Sequence, residues 1–520
     1  MKRKITVLVL CFILFFELFS ISASSFNSGE YIREFYENLP TVYRCGDWNY
    51  TLSDDGTACI YGKRDLNADL YVIYHSAYLG NEKDITIPSE LDGHEVTSIA
   101  TGAFKESSVE NVIIPDSVVS MEKYAFYGCE TLRSVYIPGS LEKISKNAFN
   151  SCTSLSDVTM CEGITEIEGG AFLKTAVSEF DFPESLRIIR DAALSTNALE
   201  YLVIPDWVEV VDPKMATGPA LKSITIPENN TEYCTEDGVV FNKGKTILYY
   251  VPRSIEMTEY SVPYGVTTIG FAAFEYVSTL TDIVLPDTVT TIDENAFYGC
   301  SNLKTINIPD GVKSLETATF SGCRNLESID IGEGLEIIED AAFDDCESLK
   351  SLYLPASLEW FGEWDRRFAM AITNCYSLEE FIVSPDNQYY SAIDGVLYSK
   401  DQTQMYLYPA GKKKNYLAVP SSVESISDSV LAAEVPVETI YGFGDGTAKE
   451  FASNAGLAYS RIGDLDEDNV VSSNDYAMLQ SAVLCNSSLE GSKEVQADIN
   501  LDGSVDGIDA IQLCLMNNEA

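Results

Sequence analysis

The chain has 520 residues, more than a single hydrophobic core organises well, so several domains or a repeat array are expected. Its 80 acidic against 34 basic residues leave a net charge of −46, which disfavours nucleic acid and anionic membrane surfaces as partners. A hydrophobic content of 46% excludes a largely disordered chain.

Lys2, Arg3 and Lys4 precede an apolar run from Ile5 to Phe19 and small residues at Ser22, Ala23 and Ser24, so residues 1–24 read as an export signal. A membrane anchor is the lesser reading, because the run is too short to span comfortably. No later segment is apolar enough to cross a bilayer. A secreted, extracellular protein without membrane insertion after signal cleavage is therefore expected. Residues 25–84 read as an N-terminal cap, with Trp48 to Leu52 and Thr57 to Tyr61 flanking an Asp-Asp-Gly turn as a hairpin.

From there a repeat governs the chain. Phenylalanine returns at Phe104, Phe126, Phe149, Phe172, Phe274, Phe297, Phe320 and Phe343, in steps of 22 or 23 within each group. Around Phe297 the unit runs through Val289, Ile292, Ala296, Cys300, Leu303, Ile306 and Ile308 to Pro309. The next unit repeats it as Val312, Leu315, Phe320, Cys323, Leu326, Ile329 and Ile331.

The Leu-x-x-Ile-x-Ile-Pro stretch predicts a short strand, since β-branched residues on alternate positions share one face and proline ends the pairing. The Ala-Phe turn fills the opposite side of each coil, and stacked coils complete a parallel ladder. Cys129, Cys152, Cys300, Cys323 and Cys346 fall in step with the repeat and read as a buried column of small residues. Cys45 and Cys59 are left as a possible disulfide pair.

This pattern resembles the BspA-like class of bacterial leucine-rich repeats over residues 85–436. Two similar segments, from Asp237-Gly238 to Tyr250 and from Asp394-Gly395 to Pro409, lie 157 positions apart. They predict β-hairpins inserted near 230–252 and 387–409. Residues 437–462 read as a C-terminal cap, with a helix over Thr447 to Ala455 closed by Gly456 and a last strand through Leu457 to Tyr459.

The tail, 463–520, carries two twelve-residue loops rich in oxygen donors. The first offers Asp464, Asp466, Asp468 and Asp475, with the Val470 carbonyl at position seven and Ser472 at position nine. The second offers Asp498, Asn500, Asp502 and Asp509, with the Ser504 carbonyl and Asp506. Oxygens at positions one, three, five, seven, nine and twelve are what a hard cation needs, so two calcium ions are expected. Four carboxylates within roughly 4–5 Å repel one another even at the dielectric of water, so the first loop is expected to be loose without a cation. Asn469 stands at the usual glycine position, which Asn tolerates better than most residues.

A helix follows each loop, and neither loop shows the preceding helix of an ordinary EF-hand. That combination resembles a type I dockerin, and the resemblance implies a cohesin domain on a scaffold protein as partner, within a cellulosome. It also implies Ser473, Asn474, Gln480 and Ser481 as contact positions in the first half, and Gly507, Ile508, Cys514 and Leu515 in the second. The expected fold class is an α+β leucine-rich-repeat solenoid with a parallel β ladder and short turns, plus a small all-α calcium-loop dockerin module.

Dockerins usually carry polysaccharide-active enzymes, yet no catalytic motif stands out. Only His75 and His94 are available to a nucleophile-histidine site, and both read as structural polar residues. Outward strand positions from Tyr136, Thr159, Asp181 and Val203 through Thr225, Val284, Asn307, Asp330 and Tyr353 form a candidate recognition face. The reading favoured is a non-catalytic recognition or adhesion protein, with a polysaccharide or a cell-surface protein as the array's ligand. The alternative is a hydrolase of O-glycosyl bonds with its site hidden in the array.

Overall fold

The structure is a computed structural model, and it describes residues 39–62, 64–66, 72–74, 76–362, 371–427, 430–431, 435–485, 489, 492–501 and 504–519. The expected export signal over residues 1–24, His75 and Asp502 lie outside them. The chain divides into two compact units, Met1–Lys243 with Pro252–Ile255, and Gly244–Val251 with Glu256–Ala520.

In the first unit, Tyr43–Cys45, Trp48–Leu52 and Ala58–Ile60 form an antiparallel meander, one strand more than the hairpin expected. Its last strand pairs in parallel with His94–Ile99. Asp84–Thr86, Asn111–Ile113, Ser134–Ile137 and Asp157–Met160 then form an in-register parallel sheet. The next coil departs from the expected pattern. No strand forms at Asp181, where phenylalanines replace the β-branched residues on both sides. Phe180 packs instead against Phe172 and Phe182, at 5.4 and 5.6 Å between ring centroids. Pairing resumes between Tyr201–Val203 and Ser223–Thr225.

In the second unit a sheet of the same kind runs through Glu259–Ser261, Asp282–Val284, Thr305–Ile308 and Ser328–Ile331. Each coil also contributes a two-residue strand to a second parallel ladder, Lys143–Ile144, Glu166–Ile167, Ile188–Ile189 and Val210–Val211 in the first unit. Two residues are too few to show alternation, which is why periodicity alone did not mark them. The array is thus a β-solenoid of strands and turns, and α-helix is confined to Thr447–Ala455 and the tail among the described residues. The α+β label fits the array only at that end.

The core is columnar. Phe104, Phe126, Phe149 and Phe172 are fully buried and stack at 4.6, 5.3 and 5.5 Å, and Phe274, Phe297, Phe320 and Phe343 repeat the column at 5.0, 5.2 and 5.6 Å. Such pairs contribute about 0.5–1.5 kcal/mol each beyond area burial. Beside them every column cysteine donates its thiol proton to the carbonyl of a phenylalanine one coil earlier. Cys129 reaches Phe104 at 2.9 Å, Cys152 reaches Phe126 at 3.0 Å, and Cys323 reaches Phe297 at 3.2 Å. Cys375 joins the column through Phe343 at 3.1 Å, although the step from Cys346 is 29 residues and so broke the period. Burial pushes the thiols of Cys152, Cys300, Cys323 and Cys346 up, and that of Cys375 to about 12. Cys45 and Cys59 do not form the disulfide left open above.

The two similar insertions begin on tight turns. Tyr233–Glu236 pairs with Val239–Asn242, and Tyr390–Ile393 with Val396–Ser399, around Asp-Gly dipeptides. Asp394 and Gly395 take φ values of 48° and 72°, the left-handed pair that a two-residue hairpin loop requires. The second insertion continues antiparallel into Gln404–Leu407, making a three-stranded meander rather than one hairpin. At the far end of this unit, helix Thr447–Ala455 closes on Gly456 at φ 70°, and Ala458–Arg461 pairs in parallel with Thr439–Gly442. No described helix is long and apolar enough to cross a membrane.

Candidate functional site

The tail consists of helix Ser473–Cys485, a short helix Ser492–Ala497 and helix Gly507–Glu519. The short helix corrects the expectation that neither loop has a helix before it, since it leads directly into Asp498. Gln496 and Ala497 bury its inner side, a three-dimensional fit that six residues of sequence do not announce.

The twelfth loop residues organise both halves in the same way. Asp475 Oδ1 accepts hydrogen bonds from the N–H groups of Leu465 and Asp466 at 2.7 and 3.1 Å, and Oδ2 accepts from Ser472 at 2.7 Å. Asp509 does the same with Ile499, Asn500 and Asp506 at 2.9, 3.2 and 2.8 Å. Both carboxylates are fully buried, and each lies in the first turn of its helix, where the N-terminal dipole favours negative charge.

Asp464, Asp466 and Asp468 bring carboxylate oxygens within 4.8 Å of one another. Asp475 is not among these three, and its two oxygens accept from the loop N–H groups named above. Asp464 is 3% exposed; burial, then the neighbouring Asp475 and Asp468 charges, raise its carboxyl above the ordinary range. Hydrogen bonds from Asp468 and Asn469 N–H, at 3.1 and 2.8 Å, oppose this. Asp468 Oδ1 accepts from Val470 N–H at 2.7 Å, and Asn469 adopts φ 68° at the sixth position. Crowded hard oxygen donors with one carboxylate destabilised by burial and like charge fit a divalent cation held by oxygen ligands.

In the second loop Asp498 and Asn500 are half-buried, while Ser504 and Asp506 are exposed. Asp506 Oδ1 accepts from Ile508 N–H at 2.6 Å. Of the contact positions, Ser473, Asn474, Gln480 and Ser481 are exposed, Ile508 is 53% exposed and Cys514 is half-buried. The Gly507 backbone opens the last helix, and the Leu515 side chain lies outside the described part. Sequence reading missed Arg461 and Gln496, which contact the first loop from outside. Neither carries a motif, and only the fold brings them there.

In the first unit Tyr136 and Val203 are 38 and 64% exposed, and Ile113, in register with Tyr136, is 49% exposed; in the second unit Val284 is 55% exposed. Asn307 is spent on structure: its amide clasps both backbone groups of Leu285 at 2.8 Å. Tyr353 donates to Glu333 at 2.5 Å. His94 is half-buried, its Nδ1 2.8 Å from the Gly56 carbonyl, as a structural polar residue.

A family model described as BspA type leucine rich repeat region matches in six copies, over residues 73–200, 176–237 and 245–379. The model described as dockerin type I domain matches residues 462–514. Both kinds of domain are non-catalytic. Comparison with curated proteins finds no match. Among solved structures, the chain is similar to a leucine rich cell surface protein from Faecalibacterium prausnitzii A2-165. The identity is 27% over 67% of this chain and 96% of that one, with a TM-score of 0.51. Weaker likenesses are the pneumococcal vaccine antigen PcpA, at 18% identity over 81% of this chain and 98% of that one, TM-score 0.46. A leucine-rich repeat protein from Bacteroides ovatus ATCC 8483 shares 21% over 81% of this chain and 99% of that one, TM-score 0.44. With repeat matches over more than half its length, the chain belongs to the BspA-type leucine-rich repeat proteins, and it carries a type I dockerin domain toward its C-terminal end.

Proposed function

We propose that this is a secreted, non-catalytic recognition or adhesion protein that a calcium-loaded dockerin fastens to a cohesin domain on a scaffold. The observation that carries the docking half is the coincidence of the dockerin match with the three carboxylates within 4.8 Å. Calcium in the first loop would be held by Asp464, Asp466, Asp468 and Asp475 with the Val470 carbonyl and Ser472. In the second it would be held by Asp498, Asn500, Asp502 and Asp509 with the Ser504 carbonyl and Asp506, giving two ions. The ion neutralises charge that otherwise accumulates at Asp464 and so orders the loop that sets the helix bearing Ser473, Asn474, Gln480 and Ser481.

The array supports recognition through exposed apolar strand positions of its first unit, Ile113, Tyr136 and Val203, which suit a polysaccharide or a cell-surface protein. Extracellular placement on a cellulosome-type complex follows from the docking reading. In a pull-down, the full chain is expected to retain cohesin with calcium and lose it with chelator; capture unchanged in chelator sinks the docking half. Release of reducing sugar by the protein from plant polysaccharides would sink the non-catalytic half.

A further inference from the structure

Resting on the calcium reading, we propose that ion binding in the tail is coupled to the closing coils of the array, so that the loaded dockerin is clamped against the solenoid in one orientation.

The backbone leaves no room for a hinge. The last array strand, Ala458–Arg461, keeps register with Thr439–Gly442, and Ile462 N–H extends the ladder to the Gly442 carbonyl at 2.8 Å. Gly463 follows at φ 90°, where a Cβ would lie 3.0 Å from Leu513 and 3.2 Å from Val471. Asp464, position one of the first loop, comes next.

Side chains tie the same junction. Arg461 donates to the carbonyl of Asn469, inside the first loop, at 3.0 Å, and to Asp445 of the array's end at 2.9 Å. Gln496 is 1% exposed, and its amide donates to the Asp464 carbonyl at 2.6 Å and to Ser460 Oγ at 3.2 Å. One buried amide therefore joins the last array strand, the first loop and the helix that enters the second loop.

Apolar contacts complete the joint. Tyr441 of the array, 6% exposed, shares one core with Leu465, Leu479, Ile499 and Leu513 of the tail. Tyr416 and Ala418 pack on that core from the array side, and Leu501 and Val505 of the second loop from the tail side. Beside it lies a cleft of about 450 Å³ with Tyr416 and Ala418 on one wall and Asp498, Leu501 and Val505 on the other. Position one of the second loop thus lines a cleft shared with the array.

An ion that orders either loop also orders groups that hold the closing sheet. Linkage makes the effect reciprocal: opening the last coils must cost more when the ion is bound, and loosening the joint must weaken the ion. The outcome is a docking module that fixes the direction in which the array's face points from the scaffold.

Hydrogen exchange on the full chain tests this, with calcium uptake measured by calorimetry on the same preparation. At a hundredfold excess of calcium over its dissociation constant, amides of Tyr416–Ala418 and Thr439–Gly442 are expected to gain up to about 100-fold protection over the chelated protein. Those of Ser328–Ile331 should not change. Calcium uptake that leaves the closing strands unchanged overturns the coupling alone, as does an equal change at Ser328–Ile331. No calcium uptake overturns the calcium reading and the coupling together. Arg461→Gln, which leaves every loop carboxylate in place, is expected to weaken calcium binding several-fold; wild-type affinity would overturn the coupling at the first loop.

Discussion

The array and the tail solve the problem of a buried core in opposite ways. Array coils repeat one apolar set, so Phe297 is sandwiched by its own equivalents Phe274 and Phe320 at 5.0 and 5.2 Å. A buried carboxylate of the array, Glu166, meets Lys143 at 2.6 Å and Arg190 at 2.9 Å. The tail instead turns three carboxylates toward each other beside a core built around Leu465, Leu479, Ile499 and Leu513. Periodicity makes stability redundant and independent of ions, whereas convergence makes it conditional on them.

That contrast can be broken experimentally. Phe297→Ala is expected to cost about 3–5 kcal/mol in denaturant unfolding, because the cavity opens between two rings that neighbouring coils hold in place. The same loss should appear with or without calcium; a calcium-dependent loss would erase the distinction. Asp464→Ala combined with Asp498→Ala is expected to remove the calcium increment in tail unfolding, about 2.7 kcal/mol per ion at a hundredfold ligand excess, and with it cohesin capture. Circular dichroism of the tail helices with and without chelator measures it.

Cys323→Ala should cost about 1–2 kcal/mol, since it deletes a buried sulfur and leaves the Phe297 carbonyl without its thiol donor. The raised thiols also predict resistance of the cysteine column to alkylation until the coils unfold, which mass spectrometry can follow.

The smallest effect sharpens the electrostatic side. Lys143 first, with Arg190 adding to it, holds the Glu166 carboxyl below its ordinary range despite partial burial. A depressed folded-state value means stability present above the unfolded pKa, about 4.3, and lost as pH falls through the lower folded value. Glu166→Gln is therefore expected to cost about 1 kcal/mol at neutral pH, discounted for the exposed cations, and nothing in strong acid. A cost that persists in strong acid would mean packing, not charge, sets the loss.

Much of this was legible beforehand because a repeat writes each contact several times. The Phe and Cys columns and the parallel register from Thr305–Ile308 to Ser328–Ile331 follow from spacing alone. Where a coil breaks the rule, spacing misleads: Asp181 forms no strand because Phe180 and Phe182 occupy the inward positions, and Cys375 joins the column across a longer step. In the tail, the twelve-residue spacing marked Asp464, Asp466 and Asp468 correctly as neighbours. Spacing did not announce that Asp475, at the twelfth position, gathers the N–H groups of its own loop through both oxygens.

Spacing and residue type determined the solenoid, the cysteine column and the meeting of Asp464, Asp466 and Asp468, because those depend on contacts at fixed separations along the chain. Only the tertiary structure decided the short helix before the second loop, the brace from Arg461, the buried amide of Gln496 and the seating of Tyr441 among tail residues. These join elements with no common period, and their partners are set by how the last strand delivers the chain into Gly463.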